Sequence, residues 1–193
     1  MKLGKLLFKY RSYTPLPFLF LMIFFMNPTI ASIVTGFIFV FSGESIRIWA
    51  VSYAGSETRV TGEVGASILV TQGPYSIIRN PLYLGNILIY SGFGIMSYAL
   101  FPYLLIAAIC FFIFQYYLII RNEEDYLLQT YTEKFFSYCN NVKRFLPFPK
   151  KLPAEVVSDI KIDLKSGYRS EKRTLQAILI ISLIILIKFY FIK

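Results

Sequence analysis

The sequence predicts an all-α integral membrane protein of about five transmembrane helices, and three observations carry that prediction. Hydrophobic residues make up 56% of the 193-residue chain and charged residues 16%, whereas a soluble domain carries roughly 25% charged residues. The apolar residues fall in long blocks, each near the roughly 20 residues a helix needs to cross a bilayer. The charges collect between the blocks, on one side of the membrane that the blocks imply. The whole chain, 1–193, reads as a single membrane domain.

The first block, 13–27, is the shortest. Its apolar part, Pro15 to Met26, spans a bilayer only by recruiting Leu3, Leu6, Leu7 and Phe8. Thr29-Ile30-Ala31 loosely matches the cleavage site of a signal segment. Asn27 and Pro28, however, read as a tight hairpin into the next helix, so the block is expected to be retained as a tilted span. The second span, 28–51, is apolar apart from Glu44 and Arg47. These lie three apart and can pair on one face, as a functional site or as a structural ion pair. The third span, 81–99, begins at Pro81, whose missing N–H costs nothing in a first turn. Gly92-Phe93-Gly94 within it reads as close helix packing. The fourth span is 102–122. The fifth, 174–192, is anchored by Arg169-Ser170-Glu171-Lys172-Arg173. The segment from Lys150 to Ser170 is expected to lie along the membrane surface.

Charge placement orients these spans. The first fourteen residues hold Lys2, Lys5, Lys9 and Arg11 and no acid, and 121–173 hold eleven basic residues. The positive-inside rule therefore puts the amino terminus and segments 52–80 and 123–173 in the cytoplasm. Because the basic residues flank spans and alternate with acids, membrane lipids rather than nucleic acid account for the net charge of +9. Cys110 in an apolar helix and Cys139 in a cytoplasmic segment are not expected to pair. The chain has no histidine, which removes His-ligated metal sites and every His general base or nucleophile pair. No metal site is expected.

Two cytoplasmic segments are too specific to be plain loops. In 69–86, Gly73-Pro74 sets a turn, Asn80 is placed to cap the third span, and the free N–H groups at that helix start favour an anion. Arg79 adds a planar donor there, and Tyr75 and Tyr83 offer aromatic faces to a cation. In the second segment, Glu123-Glu124-Asp125 follow the fourth span, and the helix is expected to continue past them, so that about one acid faces the bundle.

The order Gly73-Pro74-Tyr75, Arg79-Asn80-Pro81, Tyr83, Gly85, then Glu123-Glu124, then a Tyr-rich segment closing on Arg144-Phe145-Leu146-Pro147, resembles the isoprenylcysteine carboxyl methyltransferase and phospholipid methyltransferase superfamily. The commoner form has Arg-His-Pro where this chain has Arg79-Asn80-Pro81, and the variant is similar to bacterial members. The resemblance implies a membrane-embedded S-adenosyl-L-methionine-dependent methyltransferase with cytoplasmic cofactor-binding segments. It implies residence in a bacterial inner membrane, and an acceptor that is a lipid-like or amphiphilic small molecule bearing a carboxylate or an amine. It implies Gly73, Tyr75, Arg79, Asn80, Pro81, Tyr83, Gly85, Glu123, Glu124 and Arg144 around the cofactor, with Arg79, Glu124 and Tyr83 closest to the chemistry. Of these, Glu124 or a Tyr would take the proton of an amine acceptor.

Two alternatives come from other classes. A transporter subunit or assembly factor would place polar residues midway through several spans. A membrane reductase of related fold would need a site for further nicotinamide-cofactor phosphates. Binding of S-adenosyl-L-methionine, of NADPH or of neither by the purified protein separates the three. For topology, a reporter fused after Lys193 is expected outside the cytoplasm and one inserted near Lys150 inside; finding both on one side would rule out five spans.

Overall fold

The computed structural model describes residues 2–55, 68–147 and 151–191. Residues 56–67 of the first polar segment, Lys150 and Lys193 lie outside them. The described residues form α1 (Lys2–Tyr10), α2 (Leu16–Phe25), α3 (Ile30–Ala54), α4 (Pro81–Ser97), α5 (Tyr103–Asn141) and α6 (Leu164–Phe191), with a short 3-10 turn at Gly73–Ser76. By length and composition α3, α5 and α6 can each cross a membrane. This is the all-α membrane protein that the composition predicts.

Within the expected span 13–27 the structure has one short helix, α2. α2 has 10 residues and reaches about 15 Å, half of a hydrocarbon core of roughly 30 Å. α1 does not extend it but packs on α5, where a Cβ on Gly4 would come within 2.8 Å of the Leu118 carbonyl oxygen. The hairpin expected at Asn27-Pro28 is present. Thr29 and Ser32 form a reciprocal capping box at the start of α3, and the Asn27 N–H donates to the Ser97 carbonyl at 2.9 Å, fastening the hairpin to the end of α4.

α3 and α4 run antiparallel along a seam of four glycines. A Cβ on Gly36 would stand 2.5 Å from the Gly92 carbonyl oxygen, and one on Gly43 would stand 2.6 Å from that of Gly85. The seven-residue spacing on each helix puts both contacts on one line, two turns apart. Small residues let membrane helices approach this closely, which matters where lipid tails supply no hydrophobic drive for association. Gly92 thus packs helices as its sequence context suggests. Gly85, expected beside the cofactor, lies in this seam under the Arg47 side chain.

α6 starts ten residues before the expected 174. Asp163 caps it by accepting from the Ser166 N–H at 2.9 Å, and Gly167 packs against Ser52 of α3. The part of 150–170 from Leu164 onward is therefore a packed helix, not a surface strip. Its Glu171 is fully buried and accepts from Arg47 at 2.7 and 2.9 Å. Arg47 also donates to Asn86 of α4, and Glu44 lies 3.7 Å from its Nε. The Glu44–Arg47 pair is a structural joint of three helices.

Placing a branched side chain in the seam tests this packing. Gly43→Leu should destabilise the protein by about 1–3 kcal/mol, the usual cost of overpacking, as a lower thermal unfolding midpoint in detergent. Parent-like melting would mean that α3 and α4 do not meet as closely as described.

Candidate functional site

The site is built where the start of α4 meets the part of α5 beyond the apolar run 103–120. Gly73 holds φ +58°, a left-handed conformation that glycine adopts freely, and the absent Cβ leaves room for the Tyr53 ring. The turn that follows is closed by the Ile77 and Ile78 N–H groups donating to the Pro74 carbonyl. Ile78 then forms a parallel bridge with Lys143, and the Arg79 N–H donates to the Lys143 carbonyl at 2.9 Å. This bridge lays Arg79-Asn80-Pro81 beside the segment that carries Arg144. Asn80 occupies the N-cap position of α4, but its side chain makes no cap hydrogen bond. The expected capping role is corrected: its amide points instead toward the Arg144 carbonyl, at 3.5 Å.

The two glutamates part ways, as neighbours on a helix must. Glu124 accepts from the Arg144 guanidinium, Nε at 3.0 Å and Nη2 at 2.5 Å, and lies 3.5 Å from Arg79 Nη2. One carboxylate thus joins the three motif segments. Glu123 turns toward α4 and accepts from the Tyr83 hydroxyl at 2.6 Å. Desolvation pushes the Glu123 carboxyl up from 4.5 to about 7; the Tyr83 hydrogen bond and the Arg11 charge oppose the rise, and the Glu124 charge adds to it. Tyr83 has its ring 4.7 Å from that of Tyr116, so it supports Glu123 from behind.

Beyond the glutamates α5 breaks. Thr132 has φ 39° and ψ −109°, outside the helical range. The turn after the break carries Phe135 and Tyr138 back over the site, into a buried cluster with Leu69, Val142 and Val156. The Tyr138 hydroxyl donates to the Tyr75 carbonyl at 2.6 Å. Desolvation raises the Tyr75 and Tyr138 hydroxyls above their usual range, so both stay neutral donors.

These elements enclose a pocket of about 150 Å³. Among the residues predicted from sequence, Tyr75, Arg79, Asn80, Glu123 and Glu124 line it. Arg144 reaches it through Glu124, whereas Gly73, Pro81, Tyr83 and Gly85 shape the elements behind it. Leu127, Phe135 and Tyr138 also line it. The motif order contains the Tyr-rich segment that precedes Arg144, but not the break at Thr132 that turns it inward. Arg79 Nε is buried and has no hydrogen-bond partner among the described residues. A buried donor of this kind costs roughly 1–3 kcal/mol unless something accepts from it.

Glu123 gives the site a pH signature. A carboxyl raised in the folded state holds its proton more tightly there than in the unfolded chain, so its contribution is full at low pH and is lost as pH rises from 4.5 through about 7. Glu123→Gln, which keeps an acceptor for Tyr83, should match the parent near pH 4.5 and become progressively more stable than it up to about pH 7. Unfolding midpoints across that range check this; a constant gap would mean that Glu123 titrates normally.

A sequence model of the family described as phospholipid methyltransferase matches residues 31–134, more than half of the chain. The cobalt-zinc-cadmium resistance protein CzcN of Cupriavidus metallidurans is 33% identical over 101 residues, which cover 52% of this chain and 42% of that protein. The chain thus aligns with less than half the length of that relative. No solved structure matches.

Proposed function

The chain belongs to the phospholipid methyltransferase family, and from that premise we propose that it is an S-adenosyl-L-methionine-dependent methyltransferase acting on a lipid-like acceptor at the membrane surface. The observation that carries the reading is Arg79. Its side chain lines a pocket together with Glu123, whose carboxyl is raised to about 7, and three aromatic rings, and its buried Nε has no hydrogen-bond partner among the described residues.

These residues fit the amino-acid end of the cofactor. Arg79, with the free N–H groups at the start of α4, suits a carboxylate. Glu123 suits an ammonium. Tyr75, Phe135 and Tyr138 suit a sulfonium, because ring faces attract cations; the ring of Tyr83, stacked behind Glu123, is less available than its sequence position suggests. Ligand pockets usually measure roughly 300–1,000 Å³. A pocket of about 150 Å³ therefore holds one end of the cofactor. When bound, S-adenosyl-L-methionine supplies an electrophilic methyl group on its sulfonium. The protein's tasks are alignment and exclusion of water. A carboxylate acceptor needs no base. For an amine acceptor Glu123 is the better base than Glu124, since it is poised near neutrality and Glu124 is held by two arginines.

The acceptor's apolar tail would lie against α4 and α5, entering sideways from the bilayer. Because the tail passes from lipid to protein without leaving an apolar medium, its role is to hold the head group at the membrane surface, where binding can be used to align it. The site faces the cytoplasm in this reading.

Calorimetry tests the cofactor half. Arg79→Ala and Glu124→Gln should each weaken S-adenosyl-L-methionine binding by about 1–3 kcal/mol, the scale of a lost charged hydrogen bond; two folded variants that bind like the parent would remove the assignment. Labelled cofactor tests the acceptor half. Incubated with a membrane lipid extract and separately with a soluble metabolite extract, the protein should label lipids. Label confined to soluble metabolites would refute lateral entry, and label in neither would refute the enzyme reading.

A further inference from the structure

We propose that Arg11, which lies outside the family-matched residues 31–134, is a positioning residue of the candidate site and holds the Glu123 carboxylate ready for the ammonium of the cofactor. The ligand is named on the methyltransferase reading above; the action of Arg11 on Glu123 rests on the packing of α1.

α1 lies against α5 just before the two glutamates. A Cβ on Gly4 would come within 3.4 Å of the Asn122 Cβ, one residue from Glu123. One turn further along α1, Phe8 is buried with Phe112, Tyr116 and Ile119, and Tyr83 of α4 packs against the same cluster. Arg11 follows at the end of α1. Its Nη1 donates to the Phe8 carbonyl at 2.9 Å, satisfying one of the carbonyls that a helix end leaves open. Its guanidinium carbon stands 3.9 Å from the centre of the Phe8 ring, a cation–π contact. Two contacts to one residue pin the guanidinium on the ring that packs with Tyr83.

A buried carboxylate stays ionised only where a charge or a donor offsets its lost hydration. Tyr83 gives Glu123 one hydrogen bond. Arg79 and Arg144 are engaged by Glu124, whose negative charge works against ionising its neighbour. The cation that favours ionised Glu123 is Arg11, and its charge is felt at both ends of the Tyr83–Glu123 hydrogen bond. From the turn at Gly73–Ser76, Tyr75 faces Glu123 as a neutral hydroxyl. Among the described residues these are the titratable and charged groups around Glu123, contributed by α1, α4, α5 and the turn. An interfacial anchor would account for a basic residue ahead of an apolar block. Lys5 and Lys9 fit that description, since both are exposed on α1, whereas Arg11 is half-buried and stacked on a core ring.

The test follows unfolding midpoints of the full chain in a neutral detergent, without cofactor, from pH 4.5 upward. Glu123→Gln gains on the parent until about pH 7, where Glu123 has titrated. Arg11→Gln/Glu123→Gln should go on gaining on Arg11→Gln to about pH 8, because a nearby opposite charge lowers a carboxyl by roughly 1–3 pH units and its loss lets the carboxyl rise. With Arg11→Lys, or with Lys9→Gln as a control, the gain should end near pH 7 again. The proposal is overturned if the end point stays near 7 in Arg11→Gln, as a purely structural contact would leave it, if Lys9→Gln moves it as far, or if Arg11→Lys fails to restore it. Should Arg11→Gln fold poorly, Arg11→Met, whose unbranched stem still covers the Phe8 ring, replaces it. Calorimetry near neutral pH reads the ligand. Arg11→Gln should weaken S-adenosyl-L-methionine binding about fivefold, the fall in ionised Glu123 that one pH unit brings, and Arg11→Lys should restore it. Equal binding by Arg11→Gln and the parent would overturn the positioning role. A parent that binds no S-adenosyl-L-methionine would instead remove the methyltransferase reading and the named ligand with it, while the unfolding series still decides whether Arg11 holds Glu123.

Discussion

The close approach of α3 and α4 is the constraint from which the rest of the molecule follows. Two glycines on each helix bring the backbones together at Gly36–Gly92 and Gly43–Gly85. One turn beyond Gly43, Arg47 is then near enough to α4 to reach Asn86, and its other nitrogen is left for Glu171 of α6. A buried ion pair of this sort is weak evidence of net stability, but removing one partner strands a buried charge and costs about 3–5 kcal/mol. The seam and the pair therefore act together, the first by permitting contact and the second by penalising its loss. They fix where α4 begins, and with it the position of Arg79 and Asn80.

Glu124 does for the polar layer what the glycines do for the spans. It sits between two arginines from segments that are remote in sequence, and the backbone bridge from Ile78 to Lys143 runs alongside. Two guanidinium groups against one ionised carboxylate leave a surplus of positive charge. Glu123 offsets only part of it at neutral pH, because desolvation has moved its titration to about 7. The pocket is thus biased toward the negative end of a ligand at Arg79, with the Glu123 carboxyl in the same lining. Both features depend on the same two adjacent glutamates facing different ways.

Much of this was legible in the sequence. The spans over 28–51 and 102–122 and the pairing of Glu44 with Arg47 follow from hydropathy and from spacing along a helix. The clustering of Tyr75, Arg79, Asn80, Glu123 and Glu124 came from motif order. What was not legible depends on contacts between segments far apart. Glu171 sits in a run of charges that reads as an anchor, and only the packing of Gly167 against Ser52 turns it inward. Asn80 has the residue type of a cap, but a carbonyl from the Arg144 segment competes for its amide. Gly85 falls within the motif, yet its lack of a side chain is explained by α3. Local propensity does not encode which of two possible partners will be nearer.

The break at Thr132 has a consequence for chain length. Glu123 and Glu124 stand before it and Phe135 and Tyr138 after it, so opposite walls of one pocket belong to a single stretch of fewer than twenty residues. Between Glu124 and the break the stretch is regular helix, in which each residue turns the chain by about 100°. One residue inserted or deleted there would swing the aromatic wall a quarter-turn or more away from the acidic one, whatever the residue was. The outward side chains of that stretch, Asp125 and Gln129 among them, are exposed and carry no such restriction. The segment is therefore free in much of its spelling and fixed in its number of letters.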